Sequence, residues 1–263
     1  MREFTHNGLR LEYSVRGEGV PFVFLHGMGG SVRQIDAAYD PIPGVQMISP
    51  NQQGHANSEA DWTHYDFDHL ADDVDALLDE LQLPQAYLAG ISMGAAVGLN
   101  FAARHPERVK KLLLIRNAWT DQPMSPKVRI AYRDLGTALK QNSIEAFYRS
   151  EGWAIVAEQG AYTRNAFIST FDDPACVKNW QKYLILPGKT PISSLGALQA
   201  LTMPIMILAN RHDLCHPFEC GVYLHESLPG SVFQEISDKD TDKDGHRADV
   251  NRAVRGMLGG NTF

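Results

Sequence analysis

The sequence predicts an α/β protein with a mostly parallel sheet and an inserted helical subdomain. Patterns typical of strands and helices alternate through residues 1–115, and the alternation resumes in residues 203–263. Such alternation is typical of parallel strands joined by right-handed crossovers. Residues 116–202 contain helical stretches rich in aromatic residues but no strand-like run, and they are too long for a loop. We therefore predict a core made of the two outer segments and a helical subdomain between them.

Local patterns predict the individual elements. Arg2–His6 and Leu9–Arg16 flank Asn7-Gly8, a strong signal for a hairpin. Apolar residues recur at helical spacing over residues 67–81, and Asp66 is suited to cap that helix. The other predicted elements are strands at 21–25, 45–49, 86–89, 109–115, 203–209 and 231–236, and helices at 95–104, 218–227 and 247–258.

Composition excludes several classes of function. The 263 residues include 24 basic and 31 acidic side chains, and an acidic chain without a basic cluster is a poor candidate for nucleic-acid binding. The three cysteines form no C-x-x-C pair, which favours free thiols in a reducing compartment. The first residues do not have the pattern of a signal peptide, and apolar runs are far shorter than the ~20 residues of a membrane helix. We expect a cytoplasmic protein that binds neither nucleic acid nor membrane.

Gly90-Ile91-Ser92-Met93-Gly94 matches the pattern G-x-S-x-G. It lies between a predicted strand and a predicted buried helix, which is where a nucleophile elbow is found. The helix N-terminus behind the serine favours negative charge that develops there. We predict that Ser92 is a nucleophile; the alternative is a glycine-rich turn with an incidental serine.

A serine nucleophile needs a base, and the base needs an acid that orients it. His246 follows the last predicted strand, at the sheet edge where Ser92 should lie. Asp213 follows the strand at 203–209, so the order Ser92, Asp213, His246 is that of a nucleophile-elbow hydrolase. Asp121 is a competing acid. We predict the triad of Ser92, Asp213 and His246.

Acyl transfer also needs N–H donors for the oxyanion. The residue after the nucleophile supplies one backbone amide, here Met93, and we assign the second to Met28 in the glycine loop after the strand at 21–25. His212 and His216 lie beside Asp213, but no third ligand is evident, so we expect no metal.

The chain resembles the α/β-hydrolase superfamily over nearly its whole length, and more narrowly the cap-bearing serine esterases and lactonases related to enol-lactone hydrolases. The resemblance implies an eight-stranded sheet with helices on both faces, a cap at 116–202, no cofactor and an acyl-enzyme mechanism. The motifs that carry it are HGMGG at 26–30, GISMG at 90–94, HPERV at 105–109, NRHD at 210–213 and DGH at 244–246.

One loop departs from the family's pattern. Members usually have acidic-x-Arg-Gly-x-Gly-x-Ser after the fourth strand, whereas this chain has NQQGHANS at 51–58. Gly54 and Ser58 are kept, but the acid, the arginine and the second glycine are not. We therefore expect altered ion pairing in this loop and a reshaped pocket wall, with His55 as a candidate lining residue.

These features predict a serine hydrolase acting on a small ester or lactone. Two alternatives remain: a hydrolase that cleaves carbon–carbon bonds of diketones, and a ligand receptor built on a hydrolase scaffold. Arginines are candidate partners for a substrate carboxylate, and Trp119 is placed to form a pocket wall. The candidate substrate-binding residues are His26, Gly27, Arg116, Trp119 and Trp153.

Overall fold

The computed structural model describes residues 1–259 and contains one eight-stranded sheet in the order β1-β2-β4-β3-β5-β6-β7-β8. The strand β2 is antiparallel to β1 and β4, and all other neighbours are parallel. This confirms the predicted sheet. The strands are β1 (Arg2–His6), β2 (Leu9–Arg16), β3 (Val20–Leu25), β4 (Val45–Pro50), β5 (Ala86–Ile91), β6 (Val109–Ile115), β7 (Ile205–Ala209) and β8 (Val232–Glu235).

Helices cover both faces of the sheet. Each face has its own apolar core: α2 and α3 pack in one core, and α1 and α11 pack in the other. The helices are α1 (Val32–Ala38), α2 (Phe67–Glu80), α3 (Met93–Arg104), α4 (Pro126–Lys140), α5 (Ile144–Tyr148), α6 (Glu151–Ala157), α7 (Ala161–Ile168), α8 (Pro174–Lys178), α9 (Gln181–Ile185), α10 (Phe218–Ser227) and α11 (Lys243–Leu258). Within residues 1–259, no helix is both long and apolar enough to cross a bilayer.

The amphipathic helix α2 begins where the sequence predicts. The Asp66 side chain accepts a hydrogen bond from the backbone N–H of His69 at 3.1 Å, which satisfies one of the free amides of the first turn. Leu70, Val74 and Leu77 lie on one face and are buried in the core. Local capping and helical spacing therefore specify this element.

The chain between β6 and β7 is helical in all its regular elements, from α4 to α9. This is the segment predicted as an insertion, and we refer to residues 116–202 as the cap. Its centre is a stack of aromatic rings: the Phe147 and Phe167 centroids lie 6.1 Å apart, and Tyr132 lies 5.1 Å from Phe167. Most cap aromatics that the sequence highlights are thus part of its core.

Several helices differ from the prediction, and one difference affects the site. The short helix α1 was not predicted, and α3 begins at Met93 instead of 95. Helix α11 begins at Lys243 instead of 247, because the Asp242 side chain caps it by accepting the N–H of Gly245 at 2.8 Å. As a result, His246 lies in the first turn of α11 and not in the loop before it.

Candidate active site

Ser92 occupies a strained turn between β5 and α3. Its backbone has φ 55° and ψ −112°, a conformation that costs a residue other than glycine about 1–3 kcal/mol. The Ser92 N–H donates to the carbonyl of Ile115 on β6 at 2.9 Å, and the Ser92 carbonyl accepts from Ala96 to begin α3. The surrounding strand and helix therefore hold the serine in this conformation.

Close backbone contacts explain why the motif has glycine at positions 90 and 94. A Cβ at Gly90 would lie 2.1 Å from the carbonyl oxygen of Gly94, and a Cβ at Gly94 would lie 2.3 Å from that of Leu25. Both distances are far below van der Waals contact. The turn at Ser92 therefore requires glycine at both positions, as the G-x-S-x-G pattern indicates.

Ser92 lines a cavity of about 90 Å³ beneath the cap. An adjoining cleft of about 540 Å³ lies between the loop after β3 and cap residues 162–176, and the two share Met28, Gln34 and Tyr162. Ligand pockets are typically about 300–1,000 Å³. The cavity alone can therefore hold only the reacting part of a small molecule, and the rest would extend into the cleft.

The two predicted oxyanion donors lie at the expected places. Met28 lines the cavity, in a loop whose neighbouring amides are occupied: Gly27 N–H donates to Gln34 Oε1 at 2.7 Å, and Gly29 N–H donates to His55 Nε2 at 3.2 Å. Met93 is the first residue of α3, where a backbone N–H has no acceptor within the helix. Both amides remain our candidates for the oxyanion hole.

Asp213 is buried among several donors. Its Oδ1 accepts from the backbone amides of Cys215 and His216 at 3.1 and 3.2 Å, and Nδ1 of the His216 ring lies 2.9 and 3.0 Å from the two oxygens. Arg116 donates to Oδ2 through Nε, at 3.0 Å, and through Nη2. Burial alone would raise the pKa of Asp213, but His216 and Arg116 outweigh it and hold the pKa well below its usual range. The carboxylate is therefore ionised and fixed.

The structure does not form the predicted hydrogen bond between Asp213 and His246. Nδ1 of His246 lies 2.9 Å from the carbonyl oxygen of Ser237 instead. The cause is the early start of α11, which places His246 in a helical turn, together with Arg116, which occupies Oδ2 of Asp213. Burial lowers the pKa of His246 to about 4, so its ring is neutral at pH 7.

Three predicted substrate-binding residues lie directly after strands β3 and β6, at the edge of the sheet. Gly27 and Arg116 line the cavity, as predicted, but Arg116 uses Nε and Nη2 to hold Asp213. His26 is fully buried behind the loop, where Nδ1 lies 2.9 Å from the Gly27 carbonyl and Nε2 accepts from the Gln52 amide at 3.1 Å. Substrate contact by His26 is therefore a wrong prediction, and its role is to support the loop.

The two predicted tryptophans lie away from the cavity. Trp119 is buried, donates through Nε1 to the Leu186 carbonyl at 3.3 Å and packs edge-on against Phe67. Trp153 packs against Phe147 and Tyr148 within the cap. Their large apolar rings fill the cores of the cap and its junction with the sheet, so both predictions of substrate contact are wrong.

Two polar residues that line the cavity, Tyr162 of the cap and His216, were not predicted to contact a substrate. Tyr162 lines the cavity, and its ring lies 5.7 Å from the Arg116 guanidinium and 4.4 Å from Lys239 Nζ. Asp240 accepts the Tyr162 N–H at 2.6 Å. His216 was considered only as a metal ligand, although its spacing of three residues from Asp213 was a usable signal.

In the atypical loop at 51–58, neutral amide side chains donate hydrogen bonds to buried carboxylates. Gln53 Nε2 donates to Asp73 Oδ2 at 2.7 Å, and His55 supports the Gly29 amide without lining the cavity, which corrects its predicted role. The positive charge near this loop comes from the cap, since Lys182 Nζ donates to the Gly54 carbonyl at 2.8 Å and is fully buried. Lys182 therefore ties the cap to the loop at 51–58.

Lys182→Met is expected to change how stability depends on pH. Burial lowers the pKa of Lys182 from 10.5 to about 8, so the folded state binds the proton more weakly than the unfolded chain does. The resulting penalty is complete below pH 8 and fades as the pH rises towards 10.5. As the pH rises from 7 to 9.5, the free energy of unfolding of the wild type should increase by about 2 kcal/mol relative to that of the variant. Urea unfolding at both pH values measures this change. If wild type and Lys182→Met differ in free energy of unfolding by the same amount at both pH values, the prediction is wrong. The control is Lys127→Met, at an exposed site.

Comparison with known proteins agrees with the sheet and the turn. A family model described as the alpha/beta hydrolase fold matches residues 20–138. The AB hydrolase superfamily protein YisY of Bacillus subtilis (strain 168) is 37% identical over 116 residues, which are 42% of this chain and 43% of that protein. A 2-hydroxymuconate semialdehyde hydrolase of Pseudomonas sp. (strain CF600) is 33% identical over 130 residues, 47% of this chain and 46% of that protein. The match spans less than half the length of each relative.

The structure is also similar to solved structures over its whole length. The enol-lactonase from Burkholderia xenovorans LB400 superposes with a TM-score of 0.76 and 18% identity, covering 98% of this chain and 100% of that one. At this identity the likeness concerns the fold. The order of the strands, the turn at Ser92 and these matches together identify the chain as a member of the α/β-hydrolase superfamily.

Proposed function

We propose that the protein is a serine hydrolase that cleaves a small carboxylic ester or lactone through an acyl-enzyme. Ser92 Oγ attacks the carbonyl carbon, and a histidine takes its proton. The amides of Met28 and Met93 stabilise the oxyanion. The same histidine returns the proton to the leaving oxygen and then activates water to release the acid. His246, from the sequence, and His216, beside Asp213, are the two candidate bases.

The observation that carries this proposal is the backbone of Ser92. A non-glycine residue at φ 55° and ψ −112° needs a reason to persist, since such strain costs about 1–3 kcal/mol. Here the strained residue carries a hydroxyl, lines a cavity and stands at a helix N-terminus. This combination supports a nucleophile, whereas a merely structural turn could use glycine at the same position without strain.

The size of the site supports a small substrate. The cavity at Ser92 holds about 90 Å³, while the adjoining cleft has room for the remainder of the molecule. Tyr132, Leu135 and Phe167 supply aromatic and aliphatic surface to the wall of the cavity. Such walls suit a short acyl chain or a small ring near the scissile carbonyl.

The first experiment is labelling with a fluorophosphonate probe, read by intact mass and by peptide mapping. We expect a single adduct at Ser92. A panel of short aryl esters, small lactones and ring-fission diketones then defines the reaction, with multiple turnovers per protein as the criterion. Labelling at another residue, or no labelling with no turnover, would contradict the proposal and favour a receptor or an inert binding module.

Cleavage of carbon–carbon bonds is the second candidate. It is favoured by the match to the 2-hydroxymuconate semialdehyde hydrolase, which is 33% identical over 130 residues. The substrate panel separates the two reactions, because an ester or lactone hydrolase releases an alcohol or a hydroxy acid, whereas diketone cleavage breaks a bond between two carbons. Faster turnover of diketones than of every ester would make this candidate the preferred one.

A further inference from the structure

We propose that His55 is a positioning residue for the oxyanion hole, because it holds the glycine loop at 26–30 that carries the Met28 amide. The inference rests on the proposed function, in which this amide is one of the two oxyanion donors. His55 belongs to the atypical loop at 51–58 and does not line the cavity that contains Ser92. It therefore acts through the backbone of the glycine loop and not by contact with a substrate.

The His55 ring joins the two loops by hydrogen bonds. Its Nε2 accepts the Gly29 N–H at 3.2 Å, and its Nδ1 lies 2.9 Å from the Gln53 carbonyl oxygen. Since an amide N–H only donates and a carbonyl only accepts, Nδ1 carries the proton and Nε2 does not. Burial lowers the pKa of His55 well below its usual value, so this neutral form is the one present at pH 7. The ring thus offers a fixed acceptor to the residue after Met28.

A second histidine fixes the peptide on the other side of Met28. His26 Nε2 accepts the Gln52 N–H, so its Nδ1 carries the proton and donates to the Gly27 carbonyl at 2.9 Å. Gly30 N–H donates to the same oxygen at 2.9 Å. The Gly27 carbonyl and the Met28 N–H belong to one planar trans peptide and point in opposite directions. Holding the carbonyl therefore sets the direction of the N–H.

His55 contacts both of these supports. Its ring packs edge to face on the His26 ring, with the two centroids 4.7 Å apart. It therefore holds the Gly29 amide directly and the Gly27 carbonyl through His26. Within residues 1–259, the amides of Gly27 and Gly29 have acceptors in the protein, whereas the Met28 N–H has none. The amide left free is the one that the proposed function uses.

The glycine loop needs support from outside because it has little stiffness of its own. Three of its five residues are glycine, which has more conformational freedom than any other residue. Gly29 has φ 79°, and a Cβ there would lie 2.8 Å from the Tyr183 hydroxyl, so this position requires glycine. Without the acceptor of His55, the loop would keep its sequence but lose a bond that fixes the Met28 peptide.

The first test is His55→Phe, which keeps an aromatic ring but removes both hydrogen bonds. Loss of one oxyanion donor costs about 10²–10³-fold in kcat, and a donor that is present but misdirected should cost less. We therefore expect kcat for a short aryl ester to fall by about 10–100-fold, with KM changed by less than about threefold. His64→Phe is the matched control, since His64 is exposed in the chain after the same loop, and its kcat should stay within about twofold of wild type.

A pair of amide substitutions separates the bond to Gly29 from the rest of the ring. The amide of glutamine reaches the position of Nε2 and can accept the Gly29 N–H, whereas that of asparagine reaches only the position of Nδ1. His55→Gln should therefore keep a kcat about tenfold above that of His55→Asn. Equal values of kcat in the two variants would show that the bond to Gly29 has no part in catalysis, and would overturn the proposal.

The second test compares inhibitors and distinguishes positioning from a merely structural role. An aryl boronic acid forms a tetrahedral adduct with a serine and places an oxygen where the oxyanion develops, whereas the amide analogue of the substrate does not. His55→Phe should weaken binding of the boronic acid by the same factor as kcat, and binding of the amide by less than about threefold. Equal weakening of both inhibitors, or of neither, would mean that His55 does not position the oxyanion hole.

A measurement on wild type does not depend on how a variant folds. In a crystal structure of the boronate adduct, we expect the Met28 nitrogen within about 3.1 Å of a boronate oxygen, with the Gly29 N–H still on His55 Nε2. A boronate oxygen bound elsewhere, or a Gly29 amide released from His55, would overturn the inference while an adduct at Ser92 leaves the proposed function standing. If wild type forms no adduct at Ser92 and turns over no substrate, the proposed function itself fails.

Discussion

Ser92→Ala is expected to lower kcat for ester hydrolysis by at least about 10⁴-fold. The substitution removes the atom that forms the acyl-enzyme, and the oxyanion amides alone support only a small residual rate. The fold should persist, because alanine keeps the Cβ and the backbone N–H that donates a hydrogen bond to the Ile115 carbonyl. The measurement is single-turnover and steady-state hydrolysis of the best substrate of the panel, with the melting temperature as a check.

The control for this variant is Ser227→Ala. Ser227 is half-buried on α10, and its Oγ donates to the Tyr223 carbonyl at 2.7 Å. The same chemical change there should leave kcat within about twofold of wild type. Turnover by Ser92→Ala above about one per cent of wild type would show that another group attacks the substrate, or that water reacts directly.

The parts of this molecule that the sequence predicts are those that depend on neighbouring residues. Asp66 caps α2 by accepting from an amide three residues away, and the glycines beside Ser92 avoid carbonyls in the same turn or the adjacent strand. The position of the candidate acid was also accessible, because Asp213 follows a strand whose end lies near Ser92 in any parallel sheet of this order. Ser92 and Asp213, the candidate nucleophile and acid, could therefore be placed at one sheet edge without coordinates.

The contacts that the sequence did not predict are long-range ones. Arg116 reaches Asp213 across 97 residues of chain. The order of the motifs does not indicate that its guanidinium binds Oδ2 of Asp213, which was expected to orient His246. The start of α11 depends on which of several closely spaced aspartates caps it, and the choice of Asp242 moves His246 into a helix. The buried charge of Lys182 near the atypical loop likewise comes from a cap helix.

Arg116→Met is expected to lower the unfolding free energy at pH 7 by about 3–5 kcal/mol. The side chains of Arg116 and Asp213 are only 6% and 5% exposed, so methionine would leave a buried carboxylate without its guanidinium. The matched control is Arg133→Met, because Arg133 is 58% exposed beside Asp134 and such a surface pair contributes at most about 1 kcal/mol. Urea unfolding of the three proteins measures both differences.

The effect of Arg116→Met should depend on pH in a direction that identifies its cause. Pairing holds the pKa of Asp213 well below its usual range, so the pair contributes its full stability above about pH 4 and loses it as the pH falls further. The gap between wild type and variant should therefore narrow below about pH 4. A gap that stays constant down to pH 3 would mean that methionine disturbs packing and not charge. The same substitution removes a cation that lowers the pKa of both candidate bases, His216 and His246, so the acidic limb of the rate profile should move to higher pH. If the loss of stability depends on pH but the acidic limb does not move, Arg116 stabilises the folded state without controlling the pKa of the catalytic base.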